Sequence, residues 1–195
     1  MSTTRPGVDV ERLFVGVPLP VEAKPFVAEA QHALPAIAGL RLIRPEQLHV
    51  TLAFLGGLGA EAREAARAVV AGVDVRSGGI TRLGGFLFLP SPSKARVVAL
   101  AIDDPDGVFS GLYEQVAAGL ERGGVYRREK RPYLPHLTIA RLREPRAVQP
   151  KSECGRVGFP VESVCLYKSE LGREGARYTV LERMPLTMRD TESVE

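Results

Sequence analysis

The chain has 195 residues, 45% of them apolar, a formal charge of +3 and two cysteines. That length suits one domain, or two small lobes on a shared core, and so small a charge does not demand general adhesion to nucleic acid. No apolar run approaches the roughly 20 residues of a membrane helix, the start carries no signal-like stretch, and Cys154 and Cys165 are too few for a disulfide scaffold, so a soluble cytoplasmic protein with reduced thiols is expected.

Residues 1–10 are polar and read as a loose tail. A first strand over 12–18 stops at Pro18 and Pro20. From 21 to 38 the spacing of Val21, Phe26, Val27, Ala30, Leu34 and Ile37 predicts an amphipathic helix, weakened by Pro25 and Pro35, with His32 on its surface. Arg44-Pro45-Glu46-Gln47 turns into a strand over 48–55, and Gly56-Gly57-Leu58-Gly59 releases it into an Ala/Arg/Glu-rich helix over 60–73. Two β-type runs, 80–89 and 95–102, flank the Pro/Ser-rich loop 90–94 as a hairpin. A helix over 106–120 begins acidic, carries Val108, Leu112, Val116 and Leu120, and ends at Gly123-Gly124.

The cationic run Arg127-Arg128-Glu129-Lys130-Arg131 precedes a strand over 135–141. Segment 144–158 reads as a loop or short helix, and two last β runs, 161–168 and 177–184, flank a hairpin signal at 172–175. Residues 188–195 read as a second tail. Mixed elements with at least two hairpins predict an α+β fold with antiparallel sheet, within a single domain spanning 1–195.

Two strands carry the chemistry. Leu48-His49-Val50-Thr51-Leu52-Ala53-Phe54-Leu55 is apolar except for a histidine and a threonine two positions apart, which share one strand face while Val50 and Leu52 share the other. Pro135-His136-Leu137-Thr138-Ile139-Ala140 repeats the pattern in the other half, and these two sites use two of the three histidines in the chain. A two-lobed arrangement would set the motifs facing each other across a cleft. Imidazole titrates near neutral pH, so one histidine can accept a proton while the other donates one, and the threonine hydroxyls can hold phosphate oxygens. In-line displacement at phosphorus fits this set, and it needs no metal, cofactor or covalent nucleophile.

Other patterns fit less well. Gly57-Leu-Gly59-Ala-Glu-Ala62 matches a loose dinucleotide fingerprint, but a hairpin follows where a β-α-β unit should continue. Ser91-Pro-Ser-Lys94 lies in a proline-rich loop without partner motifs. Tyr133 is a candidate base-stacking residue, and 127–131 a candidate contact for an RNA backbone.

The chain resembles the two-histidine phosphoesterases, and among them the RNA 2′,3′-cyclic phosphodiesterases once called 2′-5′ RNA ligases. The resemblance is carried by Arg12-Leu-Phe-Val-Gly-Val-Pro-Leu-Pro20, Arg44-Pro-Glu-Gln-Leu-His-Val-Thr-Leu-Ala-Phe-Leu-Gly56, Pro135-His-Leu-Thr-Ile-Ala-Arg141 and Leu166-Tyr-Lys-Ser-Glu-Leu171, in order along nearly the whole chain. It implies a bilobal fold with two pseudo-twofold-related antiparallel sheets, helices outside and a central cleft, acting as a monomer on RNA with a 2′,3′-cyclic phosphate end. It implies His49 as the acid, His136 as the base, and Thr51, Thr138 and Arg141 as phosphate anchors. Simple alternation from His136 turns Arg141 away from the cleft unless the strand bulges. Hydrolysis of a small cyclic phosphate, such as a cyclic nucleotide or ADP-ribose cyclic phosphate, and non-catalytic RNA binding stay as alternatives.

Overall fold

The computed structural model describes residues 10–172 and 175–188. The strands are β1 (Glu11–Pro18), β2 (Leu40–Leu42), β3 (His49–Leu58), β4 (Gly79–Leu89), β5 (Ala95–Asp103), β6 (His136–Arg146), β7 (Arg156–Val161), β8 (Ser163–Gly172) and β9 (Gly175–Pro185), and the helices are α1 (Lys24–His32), α2 (Ala60–Ala71) and α3 (Val108–Arg122). The α+β expectation holds.

Helix α1 is shorter than the apolar spacing predicts. A 3-10 turn, Val21–Ala23, precedes it, Pro25 sits in its first turn where a missing N–H costs nothing, and Pro35 disfavours helical backbone at Leu34. His32 is exposed at its end. Helix α3 starts where the carboxylate of Asp104 accepts the backbone N–H groups of Phe109 and Ser110, each at 3.0 Å, and it buries Val108, Phe109, Leu112, Val116 and Leu120. That face packs on β3, β4 and α2. Helix α2 lies over β8 and β9, fastened by Arg67 to Glu182 at 3.0 Å, while Arg63 reaches Glu11 of β1 at 3.0 Å.

The loop-or-helix expectation for 144–158 is corrected at both ends, since β6 runs on to Arg146 and β7 begins at Arg156. Among the described residues strand β7 lies at the sheet edge and pairs only with β4, which is where a strand tolerates Pro160. The strands of the 172–175 hairpin pair as expected, while its loop residues 173–174 lie outside the described set, as do 1–9 and 189–195 of the expected tails. Met188, at the edge of the second tail, forms an isolated bridge with Gly78.

Hydrogen bonding runs along one path, β7-β4-β5-β6-β3-β1-β8-β9, with β2 on β6, where the family resemblance implies two sheets. The middle joint, β3 to β6, is a single antiparallel pair, Val50 with Leu137. From that joint outward the orders β3-β1-β8-β9 and β6-β5-β4-β7 correspond, so the two motif strands lie side by side at the centre. Val50, Leu52, Leu137 and Ile139 are buried in the core with Leu13, Val15, Val17 and Leu100.

Candidate active site

Because Val50 pairs with Leu137 in antiparallel register, the neighbouring positions bring His49 toward Thr138 and Thr51 toward His136. All four are half-buried, whereas the residues between them on each strand are buried, so the four share the open face. In a regular antiparallel pair the two histidines are diagonal neighbours about 7–8 Å apart, close enough for both rings to bear on one phosphorus. The imidazoles are tethered alike. Nδ1 of His49 donates to the carbonyl of Gln47 at 2.7 Å, and Nδ1 of His136 to the carbonyl of Leu134 at 2.8 Å. A carbonyl can only accept, so Nδ1 carries the proton in both and Nε2 is left to exchange protons in the cleft.

Arg141 joins this face because β6 bulges. Ala140 pairs with Val98 but Thr138 with Ala99, which leaves Ile139 as the extra residue. Ile139 and Ala140 are consecutively buried, and Arg141 beyond them is exposed. Alternation is thus reset, and the objection to Arg141 falls. The bulge is held from behind, where the Ile139 carbonyl accepts both the Ile43 N–H and Nε2 of Gln31, each at 2.9 Å, and Gln31 also reaches the Ile43 carbonyl at 2.8 Å. Strand β3 bulges at the matching place, since Ala53 pairs with Val15 but Thr51 with Gly16. Phe54 therefore occupies the position that Arg141 holds on β6, and it is 52% exposed.

The two histidines differ in what surrounds them. His49 lies against Phe14 of β1 at 4.6 Å between ring centres, with Tyr178 of β9 edge-on at 5.3 Å and Tyr167 of β8 at 6.1 Å. Gly16 makes room for this ring: a Cβ there would meet the Val50 carbonyl oxygen at 2.8 Å and Cδ2 of His49 at 3.3 Å. Across the joint, β5 offers only Ala101 and Ala99 beside His136 and Thr138. Burial lowers the pKa of His49 below the ordinary imidazole value, and the charges of Arg141 and His136 lower it further, against the opposing pull of the Gln47 carbonyl. Those two charges acting on His49 also place all three groups within one electrostatic neighbourhood.

Tyr133 is not available as first expected. Its hydroxyl donates to the Thr51 carbonyl at 3.1 Å and its ring stacks on Tyr113 at 4.3 Å, so it braces β3 against α3. The residues that sequence reasoning missed are Gly16, Gln31, Phe54 and the aromatic wall at His49. Among the described residues no cluster of three or more His, Cys, Asp or Glu is gathered for a metal ion.

Paired Nδ1-tethered histidines, each with a threonine on the same strand face, define a two-histidine phosphoesterase. Comparison with known proteins agrees. The family model described as the 2′-5′ RNA ligase superfamily matches residues 19–173. An RNA 2′,3′-cyclic phosphodiesterase of Thermus thermophilus is 34% identical over 183 residues, 90% of each chain, and one of Escherichia coli is 32% identical over 91% of this chain and 97% of its own. The crystal structure of E. coli LigT complexed with 3′-AMP superposes with a TM-score of 0.78 at 27% identity, covering 92% of this chain and all of that one. The chain belongs to the 2′-5′ RNA ligase superfamily. Among the described residues no helix is long and apolar enough to cross a membrane.

Proposed function

We propose that this protein hydrolyses RNA 2′,3′-cyclic phosphate ends to 2′-phosphates, without a metal, using His136 as base and His49 as acid. The observation that carries this is the central joint, which sets two identically tethered imidazoles and two threonines around one residue pair. Nε2 of His136 takes a proton as water oxygen attacks phosphorus. The bond from phosphorus to the 3′ oxygen breaks, and Nε2 of His49 delivers its proton to that oxygen, so the phosphate stays on the 2′ oxygen. Thr51, Thr138 and Arg141 hold the remaining phosphate oxygens, and the exposed ring of Phe54, with the Arg12 guanidinium over one face at 5.7 Å, offers the terminal base its other face. A 5′-hydroxyl attacking in place of water would yield a 2′-5′ linkage, so the same site can also carry reversible ligation as a side activity.

Burial sets the lowered pKa of His49 in the free enzyme. An anionic phosphate beside the ring favours imidazolium, so substrate binding brings the acid its proton, and a weakly held proton is readily given to a departing alkoxide. Both motifs come from one chain, so a monomer in the cytoplasm is sufficient. The test is turnover of an oligoribonucleotide ending in a 2′,3′-cyclic phosphate. His49→Ala and His136→Ala should each lose about 10²–10⁴-fold in rate with the fold retained, and a near-wild-type rate in either variant would overturn the two-histidine mechanism.

A further inference from the structure

We infer that the segment 127–131 is where the RNA strand leading to the cyclic phosphate lays its backbone, so that the enzyme favours oligonucleotide ends over cyclic mononucleotides. This deepens the function proposed above and rests on it. Four of the five residues are cationic. Arg128 is committed internally, with Nη1 to Glu114 at 2.6 Å, Nε to Glu121 at 2.9 Å and its guanidinium 5.6 Å from the Tyr113 ring centre. That clamp fixes the loop on α3. Arg127, Lys130 and Arg131 are exposed, and none has an ion-pair partner among the described residues, whereas Arg63, Arg67 and Lys168 are all paired. Glu129 is the only acidic residue in the segment.

The five residues line an open depression of about 680 Å³, and a second one of about 460 Å³ continues past Arg131 and Pro132 to Tyr133. Tyr133 donates to the Thr51 carbonyl, and Leu134 accepts from His136, so the loop is tied to both motif strands. Arg131 lies five residues before His136, at most about 18 Å away along the chain. Lys130 and Arg127 lie at most about 22 and 32 Å away along the chain, and three exposed cations on this open surface suit the phosphates of the first few nucleotides before the cyclic end. A buried pocket would instead suit a small ligand.

The experiment compares wild type with the triple variant Arg127→Gln, Lys130→Gln, Arg131→Gln on two substrates, a cyclic mononucleotide and an oligoribonucleotide ending in the same 2′,3′-cyclic phosphate. Wild type should use the oligonucleotide with the lower KM, and the variant should lose that advantage while its kcat and KM for the mononucleotide stay unchanged. The slope of log kcat/KM against log salt for the oligonucleotide should flatten by about 0.7 for each phosphate that the variant no longer neutralises. An unchanged oligonucleotide KM, or an equal loss on both substrates, would overturn the docking surface. Fluorescence anisotropy with the same oligonucleotide ending in a 3′-hydroxyl reads docking without turnover and should also weaken. If wild type turns over neither substrate, the proposed function fails, and anisotropy alone then decides the docking surface.

Discussion

Replacing Gly16 with alanine tests how tightly β1 fixes the catalytic ring. The added Cβ would sit 2.8 Å from the Val50 carbonyl oxygen and 3.3 Å from Cδ2 of His49. The nearer contact is with backbone at the residue that joins the two halves, so relief requires β3 to move, and ordinary contact distances ask for a shift of about 0.5 Å or more. A misplacement of about 1 Å costs on the order of 10²-fold in rate, which sets the expected loss at about 10- to 100-fold in kcat/KM. Overpacking of this kind destabilises by about 1–3 kcal/mol, and each kcal/mol lowers Tm by about 2–4 °C in a chain of this size. The assay is initial rates on a cyclic-phosphate oligonucleotide beside a thermal melt. Ala99 stands opposite Thr138 as Gly16 stands opposite Thr51, and Ala99→Gly should lose about 1 kcal/mol with little change in rate. Wild-type activity in Gly16→Ala would refute the reasoning, because the ring would then not depend on the space Gly16 leaves.

Gln31→Leu should raise KM several-fold by loosening the bulge that brings Arg141 to the cleft, and adding it to Arg141→Ala should cost nothing more; additive losses in this cycle would show that Gln31 does not act through Arg141. The pH profile carries a signed expectation. Free His49 loses its proton below the ordinary value of about 6.5, so the alkaline limb of kcat/KM should lie below that pH, while the limb of kcat, which reports the loaded enzyme, should lie higher; limbs that coincide would contradict a substrate-supplied proton affinity. The same depression links to stability. The unfolded chain binds a proton at His49 that the native state refuses, so folding stability should fall as pH drops through about 6.5 toward the native value, and His49→Gln should lack this component in pH-dependent melts. Activity should persist in excess chelator, and loss restored by a divalent ion would overturn a metal-free mechanism.

The motif strands were legible because period-two alternation forces His and Thr onto one face and their apolar neighbours onto the other, whatever the rest of the fold does. The bulges were legible in principle. Leu52-Ala53 and Ile139-Ala140 are consecutive apolar pairs directly after each threonine, which break alternation in the same place in both motifs and foretell that Phe54 and Arg141 return to the open face. Strand β7 was hidden by Gly158 and Pro160, since an edge strand tolerates residues that sequence rules treat as breakers, and β2 is only three residues long. Gly16, Gln31 and Tyr178 left no local signal. Each matters through a partner 33 to 129 positions away, His49 for Gly16 and Tyr178 and Ile139 for Gln31, and only the assembled sheet brings them together.

Phosphorus NMR of the product from a 2′,3′-cyclic-phosphate oligoribonucleotide, run to completion with wild-type enzyme in the presence of chelator, tests the division of labour between the two histidines most directly. Delivery of the His49 proton to the 3′ oxygen predicts a 2′-phosphate as the sole product, and its absence from parallel reactions with His49→Ala and His136→Ala over the same time. A 3′-phosphate product would mean that the substrate lies the other way round, with the two histidines exchanging roles, and an unchanged cyclic phosphate would contradict catalysis at this site altogether.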